Sequence, residues 1–435
     1  MQETEHVVSG CGRRGPGRAR RRGRHSGSLA ECAPACLRHS GRALFAALGL
    51  AAVAVAQEPP PFVLELRDGR RVSADAITGS LQGGLVVATD SGSRSIAVGE
   101  VLAVLHGEAA APELLRVELA GGDRLHGAIV GGDEAGDTLS LLSPVLGRLD
   151  LWIDRIAAIV QPGVHLGDQR MPDGVDEAVF LPTGRGFDLV AGTLHRFGTQ
   201  GVRFQADGAD EPRWYAPRQI SSLQLRSALP REEAAGCLLV TRVADRVAVD
   251  FDRCTAEGVE LRLETGARVK VAWRDVACLL FDAGVVHLAD LTPVEVVESG
   301  YDSEVSWSWR RDAAVTGGEL LAKRRAYGRG LGVHSRSRLT FRVPAGAERF
   351  HARVAIDDST LALPLQPHAV ARVLRGNAVL FEVDDLTPGR EPLDVGVHPV
   401  EPGDTITLEV DFGRGRDLGD RVDWLLPVFL LRERS

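Results

Sequence analysis

The feature that most restricts this chain is a spacing. Between Phe62 and Phe281, apolar residues recur at every second position in short runs broken by glycine-rich turns, and the pattern appears four times. Period two is the signature of a strand with one face in a core, whereas a helix needs a period near 3.6. The first copy reads Leu64-Glu-Leu-Arg-Asp-Gly-Arg-Arg-Val72, then Gly84-Leu-Val-Val-Ala-Thr89, and closes with Ile96 to Leu105. The second runs from Val117 through Asp137-Thr-Leu-Ser-Leu-Leu142 to Val160, with Leu66 matching Leu119 and Val101 matching Ile156 at offsets of 53 and 55 residues. A looser third copy spans Val179 to Leu225 and a fourth Leu238 to Phe281. Asp68-Gly69 and Gly121-Gly122-Asp123 carry the turn chemistry of tight hairpins.

A unit of about 45 residues buries too little by itself, so neighbouring copies must close into barrels or stack. The expected units are 62–106, 114–160, 177–226 and 236–283. Their pattern is similar to small SH3-like or Sm-like barrels, with a small β-propeller as the alternative. Trp152, Trp214 and Trp273 stand in comparable places before the final strand of a copy, which implies repeated packing. Asp154-Arg155 and Arg274-Asp275 occupy the turn just ahead of that strand and read as solvated or locally paired.

Charge divides the chain. Residues 1–56 carry a formal +6, nearly all of it arginine, and the remainder −14. An acidic main body gains no electrostatic help toward nucleic acid or anionic lipid. Within the basic part, Arg13 to Arg42 is followed by the apolar run Ala43–Val55 and then Ala54-Val-Ala56, the layout of a secretory signal peptide. An arginine-rich nucleic-acid arm joined to a buried helix is the rival reading. No later run reaches the roughly twenty apolar residues of a membrane span. We therefore expect an exported protein, periplasmic or extracellular. Cys237, Cys254 and Cys278 remain beyond the leader, an odd number without Cys-x-x-Cys pairing, and read as apolar-flanked core thiols.

The last third differs. Five of the nine Trp and Tyr residues lie there, and Gly328-Arg-Gly-Leu-Gly-Val-His-Ser335 runs into the strand-like Arg338–Val343. Glycine at alternate positions suits a backbone pressed against a neighbour. The order Gly330-Leu-Gly-Val-His-Ser335, Phe350, Asp357-Asp358, a run to Val410-Asp411, and Asp420 to Trp424 resembles the NPCBM module, a carbohydrate-binding family of secreted glycosidases and other exported bacterial proteins. The resemblance covers about 140 residues, taken as 287–433. It implies an antiparallel jelly-roll β-sandwich similar to galactose-binding domains, so the whole chain is expected to be all-β, tandem small barrels followed by a sandwich.

Sugar recognition combines an aromatic face with fixed groups for the hydroxyls. Trp307 and Trp309, two apart on an expected strand at 304–309, would form a stacking platform or a core. Tyr327 would sit at a loop rim and His334 in the glycine turn, as ligand contact or structural hydrogen-bonder. Asp357 and Asp358 would accept sugar hydroxyls, hold a structural Ca2+ or cap a turn. Asp423 belongs to the end motif, where Asp420 and Asp423 bracket Arg421 as a local ion pair. Trp424 opens an apolar strand and reads as core. The loop Thr360–His368 is apolar where an open cleft would want polar residues. No Gly-x-Ser-x-Gly, His-Glu-x-x-His or P-loop occurs. The first reading is thus a non-catalytic glycan binder with the repeats as scaffold. An envelope or protein-interaction scaffold, with a protein partner on the repeats, comes next. A glycoside hydrolase carrying this module as an accessory comes last.

Overall fold

A computed structural model describes residues 62–432, apart from 165, 167–168, 227, 230–235, 265 and 303–306. The expected leader, 1–56, lies outside the described residues. Among those described there are strands and short 3-10 turns, all strand pairings are antiparallel, and no helix is long and apolar enough to cross a membrane. The all-β expectation is met.

Four successive runs of strands share one order. In each, the first strand pairs with both the second and the last, which curls the sheet back on itself. Leu64 faces Val72 on one side and Val104 on the other. Val117 faces Leu125 and Ile159, Val179 faces Val190 and Leu223, and Leu239 faces Val247 and Leu279. A 3-10 turn precedes each last strand: Val98–Glu100, Ile153–Arg155, Pro217–Gln219 and Trp273–Asp275. The last strands then pair across copies, Cys278 with Leu105 and Ala158 with Gln224. Val101–Leu105 and Val276–Phe281 are buried at every position rather than at every second one, because the face turned away from their own core carries Leu102, Leu105 and Leu280 into a separate apolar cluster.

Repetition does not extend to the tryptophans. Trp273 is buried, donates its indole N–H to the Thr255 carbonyl (2.8 Å) and meets Phe62 of the first copy edge-on at 4.9 Å. Trp214 is half-buried under the Arg196 guanidinium, 5.6 Å from the ring centre. Trp152 is 56% exposed. Like positions in the sequence meet unlike neighbours. The three cysteines are free and buried, and burial pushes each thiol up to about 12.

Beyond residue 284, two antiparallel sheets face each other over a second core containing Phe341, Phe350, Leu408, Trp424 and Phe429. One sheet is built on Gly330–His334, Arg421–Leu431 and Ala347–Ile356. The other is Glu295–Glu298, Ser337–Arg342, Thr405–Phe412, Ala369–Arg375 and Ala378–Leu386, in that spatial order. Trp424 lies in the core, as its apolar strand requires. The glycine run does what its spacing implies. A Cβ on Gly330 would lie 2.4 Å from the Trp424 carbonyl oxygen, and one on Gly332 2.3 Å from that of Ala313.

The outer face of the first sheet is covered. Leu425, Val428 and Leu430 project from it into a third apolar cluster with Leu102 and Leu105 of the first copy and Val240 and Leu280 of the fourth. Gly328 sits at this seam, where a Cβ would come within 2.6 Å of Val240 and 2.8 Å of Leu280. Fully burying each such Leu or Val contributes roughly 1.5–3 kcal/mol. The same interface holds a buried ion network. Arg353 Nε donates to Glu65 Oε2 at 2.8 Å, and Arg71 Nε lies 2.8 Å from Glu65 Oε1. Repeats and sandwich are thereby packed as one body.

Candidate functional site

The strand Gly330–His334 delivers His334 to one end of the sandwich, where the chain turns toward Ser337. Its imidazole is buried, with 7% exposure. Nδ1 lies 2.9 Å from the Ser335 carbonyl, which only accepts, so Nδ1 carries the proton and Nε2 the lone pair. Burial pulls the His334 pKa below the ordinary value, so the ring is neutral at pH 7. Trp307 stacks on it, ring centres 5.4 Å apart and planes 18° from parallel, while remaining 41% exposed. One face of the indole rests on the imidazole, and part of the ring is open to solvent.

A second exposed aromatic stands at the same end. Tyr301 is 48% exposed, its backbone N–H donates to Asp417 Oδ2 (2.9 Å), and Arg416 lies over its ring at 4.9 Å. Arg421 is the cross-strand partner of His334, and Asp417 lies near enough to act on the imidazole electrostatically. This part of the sandwich thus carries two exposed aromatic rings, a carboxylate and two guanidinium groups. Tyr301, Arg416 and Asp417 escape the motif-based selection. Their signal is the polar stretch Gly413-Arg-Gly-Arg-Asp-Leu-Gly419, a flexible-looking loop in sequence that here positions Asp417.

Other expected positions fall elsewhere. Residues 307–309 do not form a strand, so Trp307 and Trp309 share no strand face; Trp309 packs half-buried against the sandwich core with Arg311 over its ring at 5.1 Å. Tyr327 is at no rim. It is buried (1% exposed) in the seam with the repeats, its hydroxyl accepting from Arg71 Nη2 at 3.0 Å. Asp357 is buried and accepts the amides of Ser359 (2.9 Å) and Leu321 (3.1 Å), capping the 3-10 turn Asp358–Ala362. Asp358 accepts the amide of Arg324 at 2.7 Å. These carboxylates serve backbone donors, and among the described residues no group of three or more His, Cys, Asp or Glu side chains is arranged to hold a metal ion. Of the roles expected of this pair, Asp357 takes the turn cap, while Asp358 holds the backbone of a neighbouring segment.

Asp423 is fully buried. On its strand it shares a face with Leu425, the face covered by the repeats, while Trp424 points into the sandwich. Burial, and then the neighbouring Asp357 carboxylate, raise its pKa well above the ordinary value, and with no exposed surface it is closed to a glycan. Nor do Asp420 and Asp423 clasp Arg421. Asp420 accepts from Ser335 Oγ (2.7 Å) and the His368 amide (3.1 Å), and Arg421 Nη1 donates to Ser359 Oγ (3.1 Å). The apolar loop 360–368 stays partly on the surface, with Leu361 57% exposed.

Fold and corner together define an antiparallel two-sheet sandwich with a solvent-facing aromatic end. Residues 284–430 match the family model of the NPCBM/NEW2 domain, so the chain carries that domain at its C-terminus. No curated protein matches the chain. Among solved structures, it is similar to the CBM51-2 and INT domains of Clostridium perfringens ZmpB, at 24% identity over 34% of this chain and 31% of that one, TM-score 0.30. It is also similar to CBM51 from Clostridium perfringens GH95 in complex with methyl-galactose, at 18% identity over 33% of this chain and 99% of that one, TM-score 0.29. The chain thus spans about a third of the first of these and nearly all of the second.

Proposed function

We propose that this is an exported, non-catalytic carbohydrate-binding protein whose C-terminal sandwich takes a glycan on the corner formed by Trp307 and His334. The observation that carries the reading is the open indole face of Trp307, held flat by the imidazole beneath it, in a domain matching the NPCBM/NEW2 model. A rigid aromatic plane receives the C–H face of a pyranose, and the carboxylate of Asp417 with the guanidinium of Arg421 supplies an acceptor and donors for its hydroxyls. In this reading the units at 62–106, 114–160, 177–226 and 236–283 form the scaffold, and the residues before Gln57 are a signal peptide. The test is a glycan array probed with the full chain, because the sandwich alone would expose the apolar face that the repeats cover. Retention of a defined glycan supports the reading, and silence across the array removes it.

A protein-binding role for the repeats is the second reading. Trp152, 56% exposed, borders a groove lined by Leu119, Leu151, Asp150, Arg155 and Glu264. Capture of a defined protein by the wild type but not by Trp152→Ala would favour it.

A further inference from the structure

Where the second copy, the fourth copy and the sandwich meet, a groove of about 1040 Å3 opens to solvent. The second copy contributes Asp123 and Arg124, the fourth Arg246, and the sandwich side Asp290, Arg311, Asp312 and Arg329. Most of these charges are tied together. Arg246 lies 3.1 Å from Asp312, Arg329 is 2.9 Å from Asp312 and 2.8 Å from Asp290, and Arg124 is 3.5 Å from Glu319 behind the wall. His287 completes it, its Nε2 2.9 Å from Asp282. Cross-linked in this way, the side chains are fixed before any ligand arrives, so little ordering entropy remains to be lost on binding.

The composition of the walls selects a chemistry. Four arginines and four aspartates line the groove, so its charge balances. An anion would have to compete with Asp290 and Asp312 for Arg329 and Arg246. An apolar ligand would strip water from charged groups and offer nothing in return. A neutral polyhydroxylated ligand does neither. Each hydroxyl both donates and accepts, so it bonds to guanidinium N–H and carboxylate oxygen alike, in the stronger charge-assisted form. The volume, at the upper end of the usual 300–1,000 Å3 range for ligand sites, admits several sugar units. Such sites are common at domain junctions.

We propose that this groove is a second saccharide site, for a neutral oligosaccharide, assembled jointly by the repeats and the sandwich and separate from the Trp307 corner. Crystals of the full chain are soaked with maltohexaose, cellohexaose, xylohexaose and laminarihexaose in turn. We expect density for at least one of them along Arg246, Asp312 and Arg329. Ala283 is exposed and lines the same groove, so Ala283→Trp narrows it while leaving every charged residue in place. This variant is expected to lose that density and to raise the Kd for the same hexasaccharide in calorimetry at least tenfold. Arg124→Gln, which leaves the other pairs in place, is expected to raise it about threefold. An empty groove with all four hexasaccharides overturns the proposal, as does an affinity that Ala283→Trp leaves unchanged. Sugar at Trp307 with an empty groove would defeat this proposal alone, and sugar in the groove with a bare Trp307 would defeat only the earlier one.

Discussion

Replacing Trp307 by alanine isolates the contribution of the aromatic plane. A tryptophan presents roughly 250 Å2, and its exposed share of 41% corresponds to about 100 Å2 available to a ligand. At ~25 cal/mol per Å2, complete cover contributes about 2.5 kcal/mol. A pyranose lies on one face and leaves part of the ring edge wet, so about 1.5–2.5 kcal/mol is the working range. That corresponds to a 10- to 60-fold rise in Kd. The assay is calorimetric titration of the full chain and of Trp307→Ala with the best glycan from the array, alongside thermal melts of both. Because the ring is part-exposed and outside the buried cores, the melt is expected to move little. Affinity retained within threefold by a folded Trp307→Ala protein would show that sugar, if bound, is held elsewhere.

The remaining predictions concern the frame around that corner. Arg353→Met leaves the buried Glu65 carboxylate with Arg71 as its remaining close partner, and is expected to cost about 3–5 kcal/mol in urea unfolding. Glu65→Leu/Arg353→Met is expected to cost less than that single change; a larger loss would contradict the reasoning. Gly332→Ala meets backbone at 2.3 Å, while Gly328→Ala meets only the side-chain tips of Val240 and Leu280. The first is expected to lower the melting temperature more than the second, and equal melts would count against backbone contact as the cause. Burial pushes the Asp420 carboxyl up to about 6, above its unfolded value near 3.8. The folded state then holds the proton more tightly, so this group's contribution is complete below pH 4 and is lost as pH rises toward 6. The melting temperature of Asp420→Asn relative to wild type should therefore climb between pH 4 and 6 and level off above, and a flat difference would rule out the shifted titration.

Local physics carried much of this into the sequence. Alternation at period two and glycine-rich turns specify strands wherever one face is buried, which is why the all-β class, the core position of Trp424 and the close packing at Gly330 and Gly332 are legible without coordinates. The site was legible only in part. His334 and Trp307 are brought together as a stacked pair, but their contact depends on the path of a loop, not on a strand face shared with Trp309. Asp357 and Asp423, which look like ligand carboxylates in a motif, turn inward for reasons that lie outside their own segments.

Those reasons come from packing at long range. The strand Arg421–Leu431 is apolar on both faces, and that much is written in Val422-Asp-Trp-Leu-Leu-Pro-Val-Phe-Leu-Leu431. A sequence shows that such a face must be covered, because exposed apolar surface is costly. It does not show by what. Here the cover is the first and fourth repeats, brought up by residues some 180 to 330 positions away, such as Leu102 and Val240 against Val428. That seam buries Tyr327 and Asp423, fixes Arg353 on Glu65, and leaves the Trp307 corner and the charged groove as surfaces a ligand can reach.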